Sequence, residues 1–91
     1  METLNLNLTF YDCVNHGYLQ VSWADFVNIV KKSDYYPSDC SYKGRGYVYL
    51  EEDCDAPEFL KALKDEGVSY EIYEEFGGES MYNLIHNLNS F

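Results

Sequence analysis

Positive charge is scarce in this chain. Six lysines and arginines stand against sixteen aspartates and glutamates, a net charge of −10 with a pI near 4.3. That imbalance argues against direct nucleic-acid binding, because a phosphate backbone would be repelled. The same field attracts proteins whose own nucleic-acid channels are basic. There is no internal repeat and no linker long enough to divide the chain. The opening METLNLNLTF lacks a basic segment running into a long apolar stretch, so neither a secretory signal nor a membrane span is expected. Cysteine is limited to Cys13, Cys40 and Cys54. An odd number without a signal points to reduced thiols in a cytoplasm rather than a disulfide framework.

What is abundant is aromatic and acidic. Residues 1–91 suffice for one small domain with a single core and little reserve stability. Aromatics make up 18% of the chain, with ten tyrosines. That content argues for a packed globule, yet ten tyrosines are too many for so small a core, so several belong at the surface. The acids are concentrated: Glu51 to Glu79 holds eleven of the sixteen, with only Lys61 and Lys64 among them, a local net charge of −9. Phe59, Leu60, Leu63, Tyr70, Ile72 and Phe76 are interleaved with them. The stretch is therefore a folded acidic surface and not a disordered tail.

Periodicity predicts the elements. Residues 3–10 alternate with Leu4, Leu6, Leu8 and Phe10 on one side, a half-buried strand. Asn15-His16-Gly17 marks a turn, after which Tyr18–Val21 leaves a second strand, and a hairpin, open. Ser22 caps a helix carrying Trp23, Phe26, Val27 and Val30 as its stripe, with Asp25 in the first turn and Lys31 and Lys32 in the last. Asp34 to Arg45 reads as a loop, with Tyr35, Tyr36 and Tyr42 as an exposed aromatic cluster. Gly46–Leu50 alternates again, with Val48 and Leu50 inward and the tyrosines outward. Asp55-Ala56-Pro57-Glu58 is a helix start with Asp55 as cap and Glu58 completing the box; Phe59, Leu60 and Leu63 form the stripe and Gly67 the stop. Val68, Tyr70 and Ile72 are predicted on the inner face of a further strand. After a Gly77-Gly78 turn, Ser80 caps a last helix with Met81, Leu84, Ile85 and Leu88 inward. The expected fold is α+β: a three- to four-stranded, mostly antiparallel sheet with two to three helices on one face.

Catalytic and metal chemistry find little support in the spacing. Cys13, His16, Cys40 and Cys54 are four zinc-capable residues, but they lack the two short-spaced pairs of a structural site, so no metal and no cofactor is expected. No nucleophile, base and orienter form a set, and the acids are many and dispersed where a catalytic pair is few and enclosed. No enzyme activity is expected. Gly44-Arg45-Gly46 and Gly77-Gly78 are too short to cradle a phosphate.

The acids have their own geometry. Carboxylates two apart on a strand sit about 6.5–7 Å apart on one face, and those three or four apart on a helix about 5–6 Å. Such spacings on a rigid frame can imitate the charge pattern of a duplex, although any acidic helix beside an acidic strand shows them. Two blocks then resemble a known family. Phe10 to Trp23, FYDCVNHGYLQVSW, is similar to the N-terminal pattern of the ArdA antirestriction family through Asn15, Gly17, Leu19 and Trp23, with Tyr11 displaced from its place beside the asparagine. Tyr70 to Gly78, YEIYEEFGG, resembles that family's acidic, aromatic segment ending in Phe-Gly-Gly, with Tyr73 and Glu74 where the family has histidine and aspartate.

The resemblance implies a DNA mimic from a phage or other mobile element that occupies the DNA groove of a restriction–modification enzyme. The family has three small domains, and this chain, similar to it over about two dozen residues in the two blocks, is long enough only for the first. The target is therefore left open to include a CRISPR effector, and a homodimer is left open too. On this reading Glu51, Glu52, Asp53, Asp55, Glu58, Asp65, Glu66, Glu71, Glu74, Glu75 and Glu79 meet a basic groove, with Tyr47, Tyr49 and Tyr73 adding desolvated contact. The alternative is a regulatory module binding through the tyrosine-rich 34–49 region, its acids serving solubility.

Overall fold

A computed structural model of the chain describes residues 5–13, 15–33 and 35–91. Thr3 and Leu4 of the expected first strand and Asp34 of the expected loop lie outside the described residues. Strand β1 (Asn5–Asp12) buries Leu6 and Leu8 and exposes Asn5 and Asn7, as its alternation requires. A turn closed by Cys13 N–H to His16 O at 2.8 Å returns the chain as β2 (Gly17–Ser22). The two pair antiparallel, with Thr9 opposite Gln20 and Asp12 opposite Gly17, so the hairpin forms.

Helix α1 (Trp23–Lys32) starts where Ser22 Oγ accepts the Asp25 N–H at 3.3 Å. Phe26 and Ile29 are its buried residues, with Val27 and Val30 partly covered. Trp23 departs from the expected inward stripe: it is 46% exposed and leans on Phe26, ring centroids 5.7 Å apart. Strands β3 (Tyr42–Gly44) and β4 (Tyr47–Glu51) form a second hairpin. Helix α2 (Ala56–Asp65) buries Ala56, Phe59, Ala62 and Leu63, and Gly67 leaves it at φ 71°, the left-handed stop expected from sequence. Strand β5 (Ser69–Phe76), helix α3 (Gly78–His86) and strand β6 (Asn89–Ser90) complete the chain.

The α+β class holds, but the sheet is larger than expected. Six strands lie in the order β5-β1-β2-β4-β3-β6, antiparallel except where β1 runs parallel to β5. The unforeseen strands β3 and β6 are three and two residues long, too short to display a period.

Helices cover both faces of the sheet instead of one. On one face Leu6, Leu8, Leu19, Val21, Val48 and Leu50 pack against Phe26 and Ile29 of α1 and Phe59 and Leu63 of α2. Phe59 and Leu63 are fully enclosed, each contributing about 1.5–3 kcal/mol by leaving water. On the other face Tyr18 and Tyr49 pack with Cys13 and with Ile85 of α3.

That second layer explains several departures. Tyr49 does point away from Val48 and Leu50, but α3 is there, and the ring is only 4% exposed. Helix α3 begins at Gly78 with Gly77 as its N-cap, not at Ser80, because the chain must turn at once from the sheet edge onto its far face. Gly78 takes φ 59° at that corner, and a Cβ there would meet the Phe76 ring at 3.0 Å. Asp55 sits at the start of α2, but its side chain makes no cap hydrogen bond and turns elsewhere.

Candidate functional site

Strand β5 is where charge and exposure meet. Its sequence SYEIYEEF is exposed at all eight positions, against the expected inward face of Tyr70 and Ile72. Val68, the residue expected to lead that face, is buried just before the strand begins. Among the described residues no strand pairs with the outer side of β5. Alternate backbone groups between Tyr70 and Phe76 therefore face solvent, as on any sheet edge.

Register against β1 sorts the side chains. Glu71, Tyr73 and Glu75 stand beside Asn7, Thr9 and Tyr11; Tyr70, Ile72, Glu74 and Phe76 stand beside Leu6, Leu8, Phe10 and Asp12. Carboxylates thus project from both faces of one edge, with apolar surface between them. Ile72 is 40% exposed, Tyr73 53% and Phe76 84%. The Tyr73 hydroxyl donates to Glu71 Oε2 at 2.7 Å. That bond to an anion holds the phenol proton and raises its pKa. Burial raises the Tyr11 pKa, and the nearby Tyr49 and Glu75 add to it.

The remaining acids divide into three groups. Glu52 and Asp53 are exposed on the turn after β4, and Glu79 is exposed in the first turn of α3. Glu58 and Asp65 are exposed along α2 and Glu66 at its C-cap, where they share a groove with Lys32 and Lys61. Charge there is mixed in sign. Among the described residues no lysine or arginine bridges a carboxylate, and the one basic side chain near a carboxylate is His16, with Nδ1 4.0 Å from Glu51 Oε1. The third group is not at the surface.

Glu51 and Asp55, expected on the outer face, are 8% and 4% exposed. Glu51 accepts the backbone N–H of Asp53 at 3.0 Å and of Cys54 at 2.9 Å, fixing the turn. Asp55 accepts the Ser38 N–H with both oxygens, at 3.0 and 3.1 Å, the Ser38 hydroxyl at 3.0 Å, and the hydroxyl of buried Ser41. The Asp55 carboxylate clamps the 38–41 loop to the 51–55 turn, and the Glu51 carboxylate holds that turn in shape. They shape the acidic surface from beneath. Tyr47 and Tyr73 remain exposed, while Tyr49 is buried and bonded through its hydroxyl to Gln20 Nε2 at 3.0 Å.

Of the 34–49 tyrosines, Tyr35 packs edge-on to Phe59 and donates to the Asp55 carbonyl at 3.3 Å. Tyr42 lies on His86 at the far end of the sheet. Tyr36 and Tyr47 are the exposed ones. No continuous tyrosine face results.

The far end gathers His16, Tyr18, Cys40, Tyr42, Glu51, Asp53, Cys54 and His86 around one depression. The His86 ring stacks on Tyr82 at 4.0 Å and meets the Tyr18 hydroxyl at 2.8 Å and the Tyr42 hydroxyl at 3.1 Å, one at each nitrogen. A neutral imidazole donates once and accepts once, so this pairing suits the uncharged ring. Desolvation, then the nearby His16, lowers the His86 pKa. Cys13 is buried in the α3 core, while Cys40 and Cys54 are exposed together. Among the described residues no group of three or more histidine, cysteine or acidic side chains is arranged to hold a metal ion. No helix there is long and apolar enough to cross a membrane.

Alternation alone missed the exposure of Tyr70, Ile72 and Phe76. A usable signal was present: adjacent Glu74 and Glu75 point to opposite faces of a strand, so both faces must meet water. No family model matches this chain, and neither a curated protein nor a solved structure matches it. Fold and surface define a small α+β protein that presents an acidic, aromatic sheet edge.

Proposed function

We propose that the chain is a mobile-element-encoded, ArdA-like inhibitor that occludes the basic groove of a nucleic-acid-binding defence enzyme in the host cytoplasm. The target class is a restriction–modification enzyme or a CRISPR effector. The action is non-catalytic: carboxylates replace phosphates, and apolar side chains between them supply desolvated contact.

The observation that carries this reading is β5. Its carboxylates project from both faces of a sheet edge that, among the described residues, no further strand covers between Tyr70 and Phe76, and they are interleaved with exposed Tyr70, Ile72, Tyr73 and Phe76. Acids kept for solubility alone do not require an apolar residue left 84% exposed beside them, as Phe76 is. Glu52, Asp53, Glu58, Asp65, Glu66 and Glu79 extend the charge beyond the strand. The molecule measures 41 × 24 × 22 Å, an elongated body. A duplex of that length carries roughly two dozen phosphates, at one charge per about 1.7 Å. A net charge of −10 reaches under half of that bare density. The mimicry is therefore of a short, partly neutralised duplex, and the apolar contacts of β5 make up part of the difference.

The test is inhibition of DNA binding by a purified type I restriction–modification enzyme and by a CRISPR effector complex, with Glu71→Lys/Glu74→Lys/Glu75→Lys as the variant. All three positions are exposed, so folding should be preserved. The wild type should compete with duplex DNA and weaken at least about tenfold between low and high salt, as screened charge pairs do. The triple variant should lose inhibition. Inhibition that survives charge reversal or ignores salt, or absence of inhibition for both enzyme classes, overturns the reading.

A further inference from the structure

Cys40 and Cys54 lie fourteen residues apart in sequence, yet their sulfurs are 3.1 Å apart and both side chains are exposed. The approach is built from below. Asp55 grips Ser38 and Ser41 on either side of Cys40, and the Cys40 N–H donates to Ser38 Oγ at 3.2 Å. Glu51 holds the Cys54 N–H at 2.9 Å, and the Glu51 N–H in turn donates to Ser41 Oγ at 3.1 Å. Each cysteine backbone is thus fixed to a buried polar network with no orphan side-chain atoms among the described residues. A disulfide has its sulfurs about 2 Å apart. Closing this pair requires a shift of roughly one ångström in two surface side chains.

We propose that Cys40 and Cys54 are a redox-modification site, an exposed dithiol that a small-molecule disulfide converts to an intramolecular disulfide and a thiol reductant reopens. In the first step one cysteine thiolate attacks a sulfur of the small disulfide, forming a mixed disulfide and expelling one small thiolate. In the second, the other cysteine, as thiolate, attacks the protein sulfur of that mixed disulfide and expels the second small thiolate. The protein gives up two electrons and two thiol protons, and the oxidant leaves as two thiols.

The surroundings select the oxidant. Asp39, Glu51, Glu52 and Asp53 are close in sequence to the two sulfurs, and Glu51 and Asp53 line the same depression. The Cys54 S–H is held by its hydrogen bond to Cys40 and by the Glu51 carboxylate, which raise its pKa. An anionic disulfide is repelled from this field and a cationic one is drawn in. Closure would tie the 38–41 loop covalently to the turn bearing Glu52 and Asp53.

Cystamine, a dicationic disulfide, is the probe. Native protein treated with it, acid-quenched and weighed intact should become lighter by two hydrogen atoms, without a retained adduct. Peptide mapping should link Cys40 to Cys54 and leave Cys13 free, and dithiothreitol should reverse the change. Cys40→Ser and Cys54→Ser, each altering an exposed side chain, should instead keep a single cysteamine adduct. At low salt cystamine should react at least about tenfold faster than anionic glutathione disulfide, with the gap narrowing at high salt. In urea the second step should slow until the mixed disulfide accumulates. Stable adducts on both cysteines of the native wild type, a link to Cys13, or a second step equally fast in urea would overturn the assignment.

Discussion

Replacing Asp55 by alanine should remove about 3 kcal/mol of stability. The carboxylate is 4% exposed and receives two hydroxyls and a backbone N–H. Ser41, one of the donors, is fully buried, so without Asp55 its hydroxyl proton has no acceptor, a penalty of about 1–3 kcal/mol. The Ser38 groups lose bonds to a charge, about 1.5–3 kcal/mol before water recovers part of it at that exposed residue. Release of the carboxylate from its buried site returns some of the sum. A domain of this size has about 5–15 kcal/mol in hand, and a urea m-value near 1–1.5 kcal/mol/M turns the loss into a midpoint about 2–3 M lower. Asp55→Asn keeps one acceptor oxygen and should cost about half as much. Because Ser41 also accepts the Glu51 N–H at 3.1 Å, a double-mutant cycle with Ser41→Ala should give a coupling of about 1–2 kcal/mol. A midpoint within 0.5 M or so of the wild type, or strictly additive single losses, would refute the clamp.

His86 should titrate below the ordinary histidine value of about 6.5, since burial and His16 disfavour its charged form. The unfolded chain then binds the proton more readily. Its contribution to stability is complete above about pH 6.5 and is lost as pH falls through the lower folded value. Proton NMR of the His86 ring in the folded protein measures this directly, and a midpoint at or above that of the urea-unfolded chain contradicts it. Gly17→Ala should destabilise by about 1–3 kcal/mol, because an added Cβ would lie 2.1 Å from the Phe10 ring and 2.9 Å from Glu52 Oε2. Urea unfolding indistinguishable from the wild type would show that the turn yields without cost.

Residue order alone settled whatever depends on neighbours in the chain. Period two placed Leu6 and Leu8 inward, Ser22 marked the start of α1, and Gly67 marked the end of α2. The imbalance of six cations against sixteen acids set the field of the molecule without reference to any fold. Tertiary structure decided which faces are covered, since alternation says only that neighbours point apart. Tyr49 points away from Val48 as expected and is buried because α3 crosses beneath it; Tyr70 points with Leu6 and is exposed because β5 stands at the edge. Glu51 and Asp55 look like surface charge in a run of acids; the fold turns Glu51 onto its own turn, and the approach of Ser38 and Ser41 makes Asp55 a clamp. The same approach brings together two cysteines fourteen residues apart. Such contacts join segments whose spacing carries no local period, so they exist only once the chain has closed on itself.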